Sequence, residues 1–157
     1  YKKIKILIHH KSYVHAMLKF DNGLTKIIAH DTTMNVPIFN TLYSNSDKKL
    51  KSKKVNINLL NNLNFNEIDI KRYPMIKLLN LLPNKSSLFE TVIVSANDTL
   101  VELFLNHKIK FTDIQKKLFT IVNQKTFLKF KNKEPKKIKD IVELNKYVRL
   151  KTIENSI

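Results

Sequence analysis

Apolar positions along this chain change their period once. Up to about residue 45 they alternate or form short strand-like blocks, and from about residue 70 they recur at helical spacing. Ile4-Lys5-Ile6-Leu7-Ile8 predicts a short buried strand. From Tyr13 to Phe20 the chain alternates, with Val14, Ala16, Leu18 and Phe20 expected on a core face and Tyr13, His15, Met17 and Lys19 on the other. Asp21-Asn22-Gly23, which holds the only glycine, is a turn signal, and Leu24 to His30 returns as the second strand of a hairpin.

Thr33 to Tyr43 predicts a helix that Thr33 can cap, with Pro37 in the first turn, where a missing N–H costs least. Ser44 to Lys54 is polar, carries five lysines and is expected as a solvated loop. Val55 to Phe65 is Asn-rich, and its apolar spacing suggests a short strand. A helix is expected from Ile70 to Leu82, closed by Pro83. Ser87 and Glu90 have capping-box spacing ahead of a helix turning Leu88, Val92, Ile93 and Ala96 inward, which Asn97-Asp98 could interrupt. Thr112 and Gln115 have the same spacing ahead of a helix to about Lys125. Phe104, Phe111 and Phe119 are expected in the core, Lys129 to Lys137 as a loop, and Ile138 to Ile153 as a helix with Ile138, Ile141, Val142, Val148 and Ile153 along its apolar stripe. The fold class expected is α+β: a strand hairpin and helix, then a small helical bundle.

Composition narrows the chemistry. The 157 residues are enough for one ordinary domain or two small ones. No cysteine is present, which excludes disulfides and thiolate metal sites. No apolar run approaches the roughly 18 residues of a membrane span. The chain opens on Tyr1 and reads as a segment of a longer protein. Its formal charge is +16. Arg72 and Arg149 are its only arginines, against 27 lysines, 18 asparagines and 18 isoleucines. Readers of nucleic acid favour the arginine fork, so a drift toward A/T-rich codons explains the charge better than a polyanion partner.

A single glycine rules out a Gly-rich phosphate loop or a dinucleotide fingerprint. The local concentration of chemistry is histidine: His9, His10 and His15 lie close together, and His30 stands at the far end of the hairpin. If extended structure continues, His9, Tyr13 and His15 share one face and His10 takes the other. No carboxylate lies near His9 and His15, so they read as strand histidines before metal ligands. His15, on the non-core face, could line a cleft made with another segment. The runs Lys48 to Lys54 and Lys129 to Lys139 read as solvated before they read as phosphate contacts.

Several stretches, in order, resemble the C-terminal half of the 1-deoxy-D-xylulose 5-phosphate reductoisomerase family. The run from Ile8 to Met17 (Ile-His-His-Lys-Ser-Tyr-Val-His-Ala-Met) is similar to I-H-P-Q-S-x-x-H-S-M, and Asp21-Asn22-Gly23 falls at the family's D-G turn. Met34-Asn35-Val36-Pro37-Ile38 resembles M-R-T-P-I, and Arg72-Tyr73-Pro74-Met75-Ile76-Lys77-Leu78 resembles R-[YF]-P-C-L-K-L. Ser95-Ala96-Asn97-Asp98 is similar to A-A-N-E, and Ile109 to Ile114 to I-R-F-T-D-I. Each piece is weak alone, but together, in order over about residues 4 to 125, they are specific. The chain departs from the pattern at His10 for proline, Ala16 for serine, Asp98 for glutamate and His30-Asp31-Thr32-Thr33 for G-x-P-D.

The resemblance implies an enzyme that isomerises and reduces 1-deoxy-D-xylulose 5-phosphate to 2-C-methyl-D-erythritol 4-phosphate, in isoprenoid precursor synthesis. It implies NADPH and Mg²⁺ or Mn²⁺ as cofactors, bound by upstream regions, a sugar-phosphate substrate and a homodimer. Residues 1–45 would end the catalytic domain, 46–72 would link, and 73–157 would form the C-terminal helical domain. His15 matches the family's active-site histidine, Ser12 a serine at the substrate pocket and Met34 a methionine lining it. The segment alone is expected to be inactive and to bind no cofactor, with the enzyme in a bacterial cytoplasm, under an A/T-rich genome, or in a plastid. The alternative expectation is a basic module binding nucleic acid without sequence preference.

Overall fold

The computed structural model describes residues 4–157; the first three residues of the expected catalytic-domain portion lie outside them. The chain divides into two compact units, Lys5–Asp69 and the chain from Ile70 to Ile157.

The first unit is built on a hairpin. Strand β1 is Leu7–Ile8, β2 is Val14–Lys19 and β3 is Thr25–Ala29. Helix α1 (Asn35–Leu42), helix α2 (Ile57–Asn61) and strand β4 (Asn66–Glu67) complete it. β2 pairs antiparallel with β3, and β1 with β4. The turn between β2 and β3 closes as its sequence predicts. Gly23 N–H donates to the Phe20 carbonyl at 3.0 Å and Phe20 N–H to the Leu24 carbonyl at 2.8 Å. Gly23 sits at φ +86°, a left-handed conformation that glycine adopts without Cβ strain.

The strict alternation expected along β2 does not hold. The register runs Val14 to Ala29, then Ala16 to Ile28, so His15 is an extra residue, a β-bulge. One inserted residue resets which side chains share a face. Tyr13 is therefore buried while His15 and Met17, expected beside it, are exposed. Leu18 and Phe20, expected in a core, are exposed as well. Ile4 and Ile6 are exposed and Leu7 and Ile8 only half-buried, which corrects the buried strand expected there: only two of its residues pair, with β4. Lys5 Nζ donates to Glu67 at 2.8 Å, and this hydrogen bond and charge hold the Glu67 carboxyl below its ordinary value.

Thr33 Oγ1 accepts from the Asn35 N–H at 3.3 Å as α1 opens. The expected strand over Val55 to Phe65 is instead the short helix α2, because the Asn56 side chain accepts from the Leu59 N–H at 3.2 Å and starts a turn. Ser44 to Lys54 has no regular structure and is exposed, with Lys48 lying over the Tyr43 ring.

The second unit is helical. A 3₁₀ helix, Pro74–Leu81, takes the place of the α-helix expected from Ile70. Met75, Leu78 and Leu81 recur at spacing three, the 3₁₀ period, and all pack against the helical core. Helices α3 (Phe89–Leu105), α4 (Phe111–Val122), α5 (Lys125–Leu128) and α6 (Ile138–Glu154) follow, with a 3₁₀ turn at Lys129–Asn132. Helix α3 is central, burying Val92, Ala96 and Leu100 against Leu118, Ile121 and Val122 of α4 and Leu144 and Val148 of α6. Asn97-Asp98 does not interrupt it.

Ser87 and Glu90 cap α3: Phe89 N–H donates to Ser87 Oγ at 3.1 Å and Ser87 N–H to Glu90 at 3.2 Å. The start expected at Thr112 lies upstream, where Asp113 accepts from the Lys110 N–H at 3.0 Å. Asp140 does the same for α6, accepting from the N–H groups of Lys136 and Lys137 at 3.0 Å each. The stretch from Lys129 is not all loop, because buried Phe127 and core-packed Phe130 anchor α5 and the 3₁₀ turn. Phe111, the first residue of α4, is exposed rather than core, and the fully buried phenylalanines are Phe89 and Phe127. The stripe of α6 is also narrower than expected: Leu144, Val148 and Thr152 are buried, while Ile138, Ile141, Val142 and Ile153 are exposed. Spacing four along a single ridge is what packing on α3 selects.

Candidate functional site

The histidines do not line one face. A turn at His10-Lys11 breaks the extended run, and Ser12 turns the chain at φ +48°, its N–H donating to the His9 carbonyl at 3.0 Å. Each ring then finds its own partners. His9 Nδ1 donates to the Asn64 carbonyl at 3.1 Å, and its ring lies 5.1 Å from that of Phe65. His9 Nε2 is buried without a partner among the described residues. Asn66 Nδ2 donates to His10 Nε2 at 3.0 Å.

His15 is placed by the bulge. Its ring lies face to face with that of His30, centroids 3.7 Å apart and planes within 8°. His15 Nε2 approaches the His30 carbonyl oxygen at 3.2 Å. A carbonyl only accepts, so the ring hydrogen of neutral His15 is on Nε2 and the lone pair on Nδ1. His30 is fixed in turn by donation from its Nδ1 to the Asp31 carbonyl. A backbone hydrogen bond also closes this end of the hairpin, from His30 N–H to the Tyr13 carbonyl at 3.1 Å. Tyr13, buried behind it, accepts through its hydroxyl from the Asn56 N–H at 3.4 Å.

Of the three residues expected at a site, Ser12 and His15 share the turn and the bulge that open β2, and both are exposed. Met34, also exposed, directly precedes α1. Among the described residues, no hydrogen bond or ring contact joins Ser12 or Met34 to His15. His30 is the residue that sequence reasoning placed without giving it a role. Its signal was arithmetic: a turn centred on Asn22 brings positions 15 and 30 to the same end of the hairpin. The described residues hold no group of three histidine, aspartate or glutamate side chains that could bind a metal ion.

A hairpin with a bulged, exposed histidine and a unit of helices around α3 define an α+β segment. The chain superposes on 1-deoxy-D-xylulose 5-phosphate reductoisomerase from Zymomonas mobilis in complex with NADPH with a TM-score of 0.74 at 22% identity, covering 98% of this chain and 39% of that one. On DOX-P reductoisomerase in complex with NADPH, fosmidomycin and magnesium the TM-score is 0.76 at 23% identity, covering 95% and 38%. At these identities the likeness shows the fold.

The sequence goes further. The model of the DXP reductoisomerase C-terminal domain matches residues 31–151, and the chain belongs to that family. It is 57% identical over 157 residues to the 1-deoxy-D-xylulose 5-phosphate reductoisomerase of Pelagibacter ubique (strain HTCC1062), covering 100% of this chain and 40% of that protein. It is 29% identical over 150 residues to the enzyme of the same name from Proteus mirabilis (strain HI4320), covering 96% and 36%. The chain thus spans about two fifths of the curated relatives it matches. The alternative of a nucleic-acid-binding module finds no support among these matches.

Proposed function

We propose that this chain is the C-terminal segment of an enzyme that converts 1-deoxy-D-xylulose 5-phosphate to 2-C-methyl-D-erythritol 4-phosphate, with NADPH and Mg²⁺ or Mn²⁺. The observation that carries the reading is 57% identity over the whole chain to a protein of that name. Residues 1–45 then end the catalytic domain, 46–72 connect, and 73–157 form the helical domain. The division of the chain near residue 70 supports the last boundary.

His15 is the active-site residue this segment contributes. Its exposure on a β-bulge supports the role, since bulges re-aim side chains and recur next to active sites. With the hydrogen on Nε2 held by a carbonyl, Nδ1 can accept a hydrogen bond or a proton from a substrate hydroxyl. Ser12 and Met34 contact the sugar phosphate. Both cofactors are held by other parts of the enzyme; the described residues here offer no group of three metal-ligating side chains, and the single glycine offers no dinucleotide loop. When bound they supply hydride and polarise the substrate's oxygens. The segment alone is inactive, and the whole enzyme is a homodimer of a bacterial cytoplasm, under an A/T-rich genome, or of a plastid. No helix among the described residues is long and apolar enough to cross a membrane.

The test is turnover. The whole enzyme should oxidise NADPH in the presence of the substrate and Mn²⁺, and the 157-residue chain should not. An inactive whole enzyme, or an active isolated chain, contradicts the reading.

A further inference from the structure

We infer that His30 is a positioning residue for His15, holding its imidazole in one tautomer and one orientation. The inference rests on the proposed role of His15 and adds a second residue to it. Three observations converge. The bulge turns His15 out of the alternation of β2 and toward the residue that follows β3. The two rings stack at 3.7 Å and 8°. The carbonyl of His30 takes the Nε2 hydrogen of His15 at 3.2 Å.

The two contacts depend on one another. The stacked ring holds the imidazole in the plane in which Nε2 meets the carbonyl, and the carbonyl then fixes which nitrogen carries the hydrogen. Rotating His15 about its ring axis breaks both together. His30 cannot drift with it, because its own Nδ1 is tied to the Asp31 carbonyl and its side chain is half-buried. A general base works only when its lone pair meets the proton it accepts, so an added orienting ring acts on kcat rather than on substrate affinity.

The experiment uses the whole enzyme with His30→Ala, His30→Gly and His30→Phe. Alanine and glycine remove the ring and leave the carbonyl; phenylalanine keeps a stacking face and loses the nitrogens. The expected result is a kcat lower by roughly tenfold for alanine and glycine with KM little changed, and recovery of most of it by phenylalanine. Side-chain ¹⁵N spectra of histidine-labelled enzyme supply a readout independent of turnover. His15 should show the Nε2–H tautomer in the parent and in His30→Phe, and a mixture in His30→Ala. Unchanged kcat in His30→Ala, equal loss in all three variants, or a His15 tautomer mixture in the parent would each overturn the inference. If His15→Ala is itself fully active, the role of His15 fails, while the ¹⁵N spectra still report whether His30 holds the ring.

Discussion

Asn145 on α6 donates from Nδ2 to the hydroxyl of Ser95 on α3 at 2.7 Å, and Ser95 is completely buried. This is a polar tie between two helices that otherwise meet through Val92, Ala96, Leu144 and Val148. A second link between the same helices, Arg149 to Glu102 at 3.2 Å, is largely exposed and contributes little. Asn145→Ala should cost about 1–2 kcal/mol by leaving the Ser95 hydroxyl unsatisfied, whereas Asn145→Ala with Ser95→Ala should cost less than the sum. Thermal melts of the four proteins of this cycle check it, and strict additivity would show that the tie is not formed.

Thr152, on α6, is completely buried, and its hydroxyl has no partner among the described residues. Replacing a hydroxyl by a methyl of similar size removes an unmet polar group from the core. Thr152→Val should therefore leave stability unchanged or raise it by about 1 kcal/mol. A destabilised Thr152→Val would mean that the hydroxyl has a partner, such as a buried water.

Gly23 makes a separate point. An added Cβ would meet nothing within 4 Å, yet φ is +86°. Gly23→Ala should destabilise the hairpin by about 1–2 kcal/mol through backbone strain alone, and Gly23→Asn by less, because asparagine tolerates this region. Amide exchange across β2 and β3 reads the difference; equal protection in all three proteins would contradict it.

The start of α6 depends on charge. Donation from the N–H groups of Lys136 and Lys137 lowers the Asp140 carboxyl pKa from its ordinary value. A lowered folded-state pKa means that stabilisation is complete above the ordinary carboxylate range and is lost as pH falls through the depressed value. The amides of Lys136 and Lys137 should exchange faster in that acid window, and Asp140→Asn should remove the dependence. Persistence of the same pH profile in Asp140→Asn would show that another group is responsible.

Much of this fold was legible because local signals agreed with tertiary packing. The Asp21-Asn22-Gly23 turn, the Ser87–Glu90 cap and the apolar spacing of α3 each specify their geometry within a few residues. The misses share another cause. Whether Ile138 or Leu144 of α6 is buried depends on which ridge meets α3, and both lie in apolar stretches of the same helix. Pro74–Leu81 became a 3₁₀ helix because spacing three suits Met75, Leu78 and Leu81, a choice that a short apolar run leaves open. At the candidate site, the resemblance singled out His15 by its motif. Its bulge was not, because a register shift is a property of two paired strands and no single residue of Val14-His15-Ala16 encodes it.

In the proposed function this segment brings His15 to the chemistry of a larger reductoisomerase. Steady-state kinetics and thermal melts of His15→Ala in the whole enzyme, with His9→Ala beside it, test it most directly. His15 is exposed and His9 holds the Asn64 carbonyl. His15→Ala should lower turnover by roughly a hundredfold or more while its stability stays within about 0.5 kcal/mol of the parent. His9→Ala should have the smaller kinetic effect and the larger loss of stability. Near-normal turnover in His15→Ala, or a loss of activity that merely follows unfolding, would contradict the account.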